Sequence, residues 1–221
     1  DLCPATARIA ALIIREAFDE QDVAQFEGDV SVATALLDLP FNHVFFTGSP
    51  RVGKIVMAAA ARHLTSVTLE LGGKSPVIID DGTDIAQIAA QLASAKQFNG
   101  GQACICPDYV FVKQDQQAAL VEGFRASVRS NLYDAAGNLN KDSIAQVVNR
   151  ANFNRVKAMF DDAVEKGATV AVGGQFDAED LTVHPTMLTD VTPQMTILQD
   201  EIFAPVIPVM TYDTLDQAIG Y

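Results

Sequence analysis

Between residues 43 and 62 an apolar run breaks at a glycine and resumes with a different period. His43 to Thr47 is β-branched and aromatic and reads as a strand, Gly48 to Arg51 as a loop, and Val52 to Arg62 as a helix. A strand that leaves through a glycine loop into a helix commits the chain to helices packed on a sheet. The helix supplies the crossover that a parallel strand pair needs.

The rest of the chain repeats the alternation. Pro4 to Phe18 carries Ile9, Leu12 and Ile13 at helical spacing, a short extended piece is expected at Val23 to Phe26, and Val32 to Leu37 is helical up to Pro40. Val67 to Leu71 and Val77 to Ile79 read as strands. Thr83 is a candidate cap for a helix bearing Ile85, Ile88, Ala89, Leu92 and Ala95 on one face. Beyond it come a strand at Tyr109 to Val112, a helix capped by Asp115 and ending near Ser130, and a long helical region from about Lys141 to Lys166, stopped by Gly167. Thr169 to Val172, Met187 to Leu188 and Val206 to Tyr212 complete the strands. This is an α/β pattern with largely parallel sheets.

Composition narrows the function. The 221 residues are 49% hydrophobic, enough for a core in one large or two small domains. With 28 acidic against 15 basic residues the net charge is -13, which disfavours nucleic acid and anionic membrane surfaces as partners. The longest apolar stretch, Ile55 to Ala61, falls far short of the ~20 residues a membrane helix needs. Three cysteines without paired spacing fit a reducing compartment, with the cytoplasm as default. Asp1 is not a methionine, the first dozen residues read as a helix rather than a leader, and Asp213 to Tyr221 reads as a helix that stops mid-course. The expectation is a fragment of a longer protein.

Three stretches carry chemistry. Gly48-Ser49-Pro50-Arg51-Val52-Gly53-Lys54 nearly completes a P-loop, but Ile55 offers no hydroxyl for Mg²⁺, so a dinucleotide suits it better than a nucleoside triphosphate. Gly48 and Gly53 are equally consistent with a loop that only turns and packs. Glu70 lies in an apolar strand before Gly72 and Gly73. There it is either a desolvated general base or a strand-end glutamate facing water. Cys104 follows the Gly100-Gly101 break and is either an exposed nucleophile or a packed thiol. No metal site is expected. Cys104 and Cys106 lack two further ligands, and His43, His63 and His184 show no ligand spacing.

Four motifs stand in order: Phe46-Thr47-Gly48-Ser49, Leu69-Glu70-Leu71-Gly72-Gly73-Lys74-Ser75-Pro76, Phe98-Asn99-Gly100-Gly101-Gln102-Ala103-Cys104, and Glu201-Ile202-Phe203-Ala204-Pro205. Together they resemble the NAD(P)-dependent aldehyde dehydrogenase superfamily, and the 34 positions from Glu70 to Cys104 match its base-to-nucleophile spacing. Pro107-Asp108-Tyr109 resembles the class 3, fatty and coniferyl aldehyde dehydrogenase branch. The resemblance covers the whole chain, with two departures: Ala204 where many members have glycine, and Cys106 where the branch often has alanine.

The resemblance implies an aldehyde dehydrogenase-like α/β fold. Residues 1–71 would be the C-terminal part of a Rossmann-type coenzyme domain and residues 72–221 an α/β catalytic domain truncated at its C-terminus. The missing segments would include an oligomerising one, making the full-length protein a homodimer. Cys104 is implied as nucleophile, with its own N–H in the oxyanion hole, and Glu70 as the base that activates water. Gly48, Ser49, Val52, Gly53 and Leu71 would line the coenzyme, NAD or NADP. Glu201 would hold the nicotinamide ribose, and Phe203 would pack near the ring. The implied reaction takes an aldehyde to a carboxylic acid through a cysteine thiohemiacetal and thioester. The alternatives are an acylating enzyme in which coenzyme A replaces water, and a nucleotide-binding but inactive fragment.

Overall fold

Helix α1 (Pro4–Ala17) opens on Pro4, whose fixed φ suits a first turn, and α2 (Val30–Leu37) is capped by Asp29, which accepts the Ser31 N–H at 2.8 Å. Strand β1 (His43–Gly48) leads through Ser49 into α3 (Pro50–Ala61) and back to β2 (Ser66–Leu71), parallel to β1. Alternate residues of both strands turn inward, and α3 lies over that face with Gly53, Val56 and Ala60 buried. On the other face Phe45 remains 65% exposed. These elements form one of two compact units, ending at Gly72; the other runs Gly73–Tyr221. The computed structural model describes residues 2–221.

The second unit is built on a five-stranded sheet in the order β3-β4-β9-β8-β5, from β3 (Ser75–Ile78), β4 (Pro107–Lys113), β5 (Thr169–Val172), β8 (Thr186–Thr189) and β9 (Val206–Tyr212). All its pairings are parallel except β5 with β8. A separate hairpin pairs β6 (Phe176–Asp177) with β7 (Thr182–Val183). The central strands are apolar at consecutive positions because both faces are covered. Val110, Val112, Ile207, Val209 and Met187 pack with α4 (Ile85–Gln97) and α5 (Gln117–Leu132). Phe111, Val206, Met210 and Leu188 pack with α6 (Arg150–Glu165) on the opposite face. A final short helix, α7, spans Leu215–Ile219. The expected α/β class holds.

Several local expectations need correction. Asp84, not Thr83, caps α4, accepting N–H groups of Ala86 and Gln87 at 3.0 and 3.2 Å, while the Thr83 hydroxyl donates to Asp80 O. Asp115 does not cap α5, which starts at Gln117 without a side-chain cap. Helix α6 begins only at Arg150, where Asn149 Oδ1 accepts the Asn152 N–H at 2.9 Å, and Lys141–Ser143 forms a single 3-10 turn. Gly167 does end it, with φ 103°. Val23 to Phe26 forms no strand. Among the described residues no helix is long and apolar enough to cross a membrane, and no His, Cys, Asp or Glu group has a metal-binding arrangement.

Lys141 bridges the carboxylates of Asp177 and Asp180 on the β6–β7 hairpin. Hydrogen bonds from Lys141 and then Thr182 hold Asp180 well below the usual carboxylate range, down to about 2. A lowered folded pKa contributes stability above the unfolded value, about 3.9. Asp180→Asn is therefore expected to be less stable than the parent at neutral pH. The gap should close as pH falls from about 4 to about 2, measured by urea titration at successive pH values.

Candidate active site

In the first unit the glycine loop sits where β1 ends. Gly48 lies opposite Leu71 in the parallel register and Thr47 opposite Glu70, so the two strand ends deliver both motifs to one end of the sheet. Ser49 caps α3 weakly, its Oγ accepting the Val52 N–H at 3.4 Å. Gly53 brings α3 close to β2. A Cβ there would stand 2.9 Å from Leu71 Cδ2, and a Cβ at Gly48 would stand 2.5 Å from the Phe46 ring. Both glycines thus have a packing reason within the unit. The same packing opens the α3 N-terminus, with its positive dipole end, at the end of β1. Glu70 is exposed, in alternation with the inward Val67, Leu69 and Leu71. Of the two settings the sequence allows for Glu70, the side chain takes the one at the strand end facing solvent.

In the second unit the cysteine loop leaves α4 through a left-handed bend. Phe98–Gly101 forms a short turn in which Asn99, Gly100 and Gly101 have φ of 48°, 62° and 73°. Only glycine fits the last two positions, for two reasons each. The backbone is left-handed, and a Cβ would lie 2.7 Å from Ala145 O at Gly100 and 2.4 Å from Ala204 O at Gly101. Gln102 then locks the bend. Its Nε2 donates to Asn99 O (3.0 Å) and Gln146 O (2.9 Å), and its Oε1 accepts the Val148 N–H (2.9 Å). This explains why residues 144–148 are not helical as expected.

Cys104 emerges from this clamp exposed to solvent. Among the described residues no acceptor takes its backbone N–H.

Lys96 is fully buried in the last turn of α4, donating to Ala204 O at 3.2 Å. Burial pulls its pKa down, opposed by the charges of Cys106 and Asp108 and by a hydrogen bond with Cys106. Burial in turn pushes the Cys106 thiol up, against the pull of Lys96.

The segment carrying Glu201 and Phe203 is held by a buried ionic knot. Asp108, 3% exposed, pairs with the Lys74 ammonium and accepts the Ile202 N–H at 3.0 Å. Lys74 also donates to Ile197 O and Asp200 O (3.0 and 2.8 Å), while Arg155 donates to Glu201 O and Ile202 O (2.8 and 2.9 Å). Phe203 is left-handed, with φ 53°, a strain of about 1–2 kcal/mol that this framework holds. Burial raises the Glu201 carboxyl above its usual range, partly offset by the Gly73 N–H.

Within this unit, then, the Cys104 loop and the Glu201–Phe203 segment come together through Gly101, Lys96 and Ala204. Glu70 and the glycine-loop residues Gly48, Ser49, Val52, Gly53 and Leu71 belong to the other unit. Asn99, Gln102, Lys74, Asp108 and Arg155 also shape this site, and no role for them is read from the sequence alone. Only Asp108, a carboxylate opening the apolar strand Tyr109 to Val112, carried a local signal.

A family model described as the aldehyde dehydrogenase family matches residues 1–221. The chain belongs to that family. It is 53% identical to a putative aldehyde dehydrogenase, AldX, of Bacillus subtilis, over 98% of the chain and 48% of the relative. It is 41% identical to a probable coniferyl aldehyde dehydrogenase of Caulobacter vibrioides, over 100% of the chain and 46% of the relative. Among solved structures, Staphylococcus aureus AldH in a substrate-bound state superposes with a TM-score of 0.87 at 35% identity, covering 99% of this chain and 47% of that one. A betaine aldehyde dehydrogenase of the same species, in complex with NAD+, gives 0.83 at 28%, covering 96% and 43%. The chain spans about half the length of these aldehyde dehydrogenases.

Breaking the knot is expected to cost this chain heavily. Asp108→Ala would leave the Lys74 ammonium without its counter-charge, destabilising by about 3–5 kcal/mol in urea unfolding. Gly101→Ala should cost about 1–3 kcal/mol in the same measurement, because both the φ and the approach to Ala204 O are lost.

Proposed function

We propose that this chain supplies the nucleophile, the base and part of the coenzyme site of an NAD(P)-dependent aldehyde dehydrogenase that oxidises a small-molecule aldehyde to a carboxylic acid. The observation that carries the reading is Cys104: an exposed thiol, with an unengaged backbone N–H, on a loop clamped to the segment bearing Glu201. Family membership supports it, as does the NAD+ complex of the betaine aldehyde dehydrogenase.

The residues in hand fit a dinucleotide. In the first unit, the open α3 N-terminus beside Gly48, Ser49, Val52, Gly53 and Leu71 suits a pyrophosphate. In the second, the Glu201 carboxyl can accept from ribose hydroxyls, and the Phe203 ring offers an apolar face. Bound NAD or NADP supplies the two-electron acceptor.

The steps assigned to the protein are these. The Cys104 thiolate adds to the aldehyde carbon, and the Cys104 N–H donates to the developing oxyanion. The thiohemiacetal is oxidised to an acyl thioester on Cys104. Glu70, exposed and free to reach water, takes a proton from the water that hydrolyses the thioester, and the acid leaves. No observation favours the coenzyme A alternative. Homodimer assembly at full length and a reducing, cytoplasmic setting complete the reading. The second is supported by three free cysteines among the described residues.

The test is formation of reduced coenzyme with a panel of aliphatic and aromatic aldehydes, in the protein that carries this chain. Cys104→Ser should abolish it. Glu70→Gln should retain a single-turnover burst while steady-state acid production falls by about 10²–10⁴-fold. Unchanged acid production in Glu70→Gln would remove the base from the mechanism. A protein that binds NAD yet oxidises no aldehyde would remove the reaction.

A further inference from the structure

Cys106 and Lys96 have no part in the proposed reaction, yet the Cys106 Sγ lies 3.7 Å from the carbonyl of Ala95, the residue before Lys96 in α4. The Cys106 N–H donates to Ala103 O at 3.0 Å and closes a turn whose second and fourth residues are Cys104 and Cys106. Two Cα atoms one residue apart lie at most about 7 Å from each other, and closer where the chain bends. A disulfide spans about 4.4–6.8 Å between Cα atoms, so the turn brings the two cysteines into range.

The Cys106 thiol is loosely held. Its Sγ has only the carbonyls of Ala95 and Pro107 as acceptors, each at 3.7 Å, so rotation toward its neighbour gives up two long contacts and the interaction with Lys96. Accessibility divides the two sulfurs, since Cys104 is exposed and Cys106 half-buried. A small oxidant meets Cys104 first. Lys96, fully buried, directly follows Ala95, whose carbonyl the Cys106 Sγ meets at 3.7 Å, and is placed to take the Cys106 proton; burial, which lowers its pKa, fits that role.

We propose that Cys106 is a resolving thiol that turns oxidised Cys104 into a reducible intrachain disulfide. A hydroperoxide oxidises the Cys104 thiolate to a sulfenic acid and is itself reduced to an alcohol or water. Cys106 passes its proton to Lys96, and its sulfur attacks the Cys104 sulfur. The S–O bond breaks, an S–S bond forms, and the departing hydroxide takes the proton from Lys96 and leaves as water. A thiol or dithiol reductant then restores both side chains by exchange. The nucleophile is thereby held in a recoverable state instead of passing on to the sulfinic acid. The inference rests on the reading of Cys104 as the nucleophile.

The experiment uses the chain in a Cys3→Ser background, with and without Cys106→Ala. Each protein is treated with hydrogen peroxide, alkylated, digested and analysed by mass spectrometry before and after dithiothreitol. With Cys106 present, the peptide should be lighter by two hydrogen atoms, and the reductant should restore alkylation of Cys104. With Cys106→Ala, Cys104 should advance to sulfinic acid and be lost irreversibly. Equal irreversible loss in both proteins, or a sulfenic acid trapped by dimedone with no disulfide, would overturn the inference and leave the nucleophile standing. Alkylation of reduced Cys104 no faster than that of Cys3 in the parent chain would remove the nucleophile, and the inference with it.

Discussion

A carboxylate buried at the start of β4 ties the second unit together. Asp108 joins a lysine that enters β3 to the backbone of the Glu201–Phe203 segment, and Lys74 carries the connection on to Ile197 and Asp200. A buried ion pair is a poor source of net stability, because desolvation of both ions offsets most of their attraction. Its value here is directional. Charge-assisted hydrogen bonds fix where the Ile202 peptide points, and with it the backbone that presents Glu201 and the left-handed Phe203.

The second constraint is a steric one and acts from the other side. Gly101 lets the backbone of the cysteine loop press on Ala204 O, and Lys96 reaches the same carbonyl from within α4. Ala204 O is therefore a meeting point. The thiol loop touches one side of the segment and the ionic knot holds the other, so the two pieces of candidate chemistry in this unit share one rigid mount.

The sequence made the sheet and its helices legible because they rest on periodicity, and periodicity is local. Val110, Phe111 and Val112 reveal a strand buried on both faces without knowledge of any partner. The helix starts were less legible. Thr83, Asp84, Asp115 and Gln116 all stand at plausible positions, and which of them caps depends on a dihedral angle that composition does not encode. The helical spacing around Lys141 misled for a different reason: Gln102, some forty positions away, recruits Gln146 and Val148 into an extended segment. In the site itself, Cys104 and Glu70 stood out by their setting in the chain. Lys74, Lys96, Asp108 and Arg155 did not, because each acts on a backbone group far off in sequence.

Surface loops ordinarily tolerate changes of length. The stretch from Phe98 to Cys104 is a loop by shape, yet it is registered at both ends. Gly100 and Gly101 are seated on the carbonyls of Ala145 and Ala204, and Gln102 is bonded to three separate backbone positions. An added or deleted residue would take at least one glycine off its seat or turn Gln102 away from its partners. The thiol would then face elsewhere while the sheet beneath stayed intact. The count of residues between α4 and Cys104 is thus as much a part of the site as the sulfur it carries.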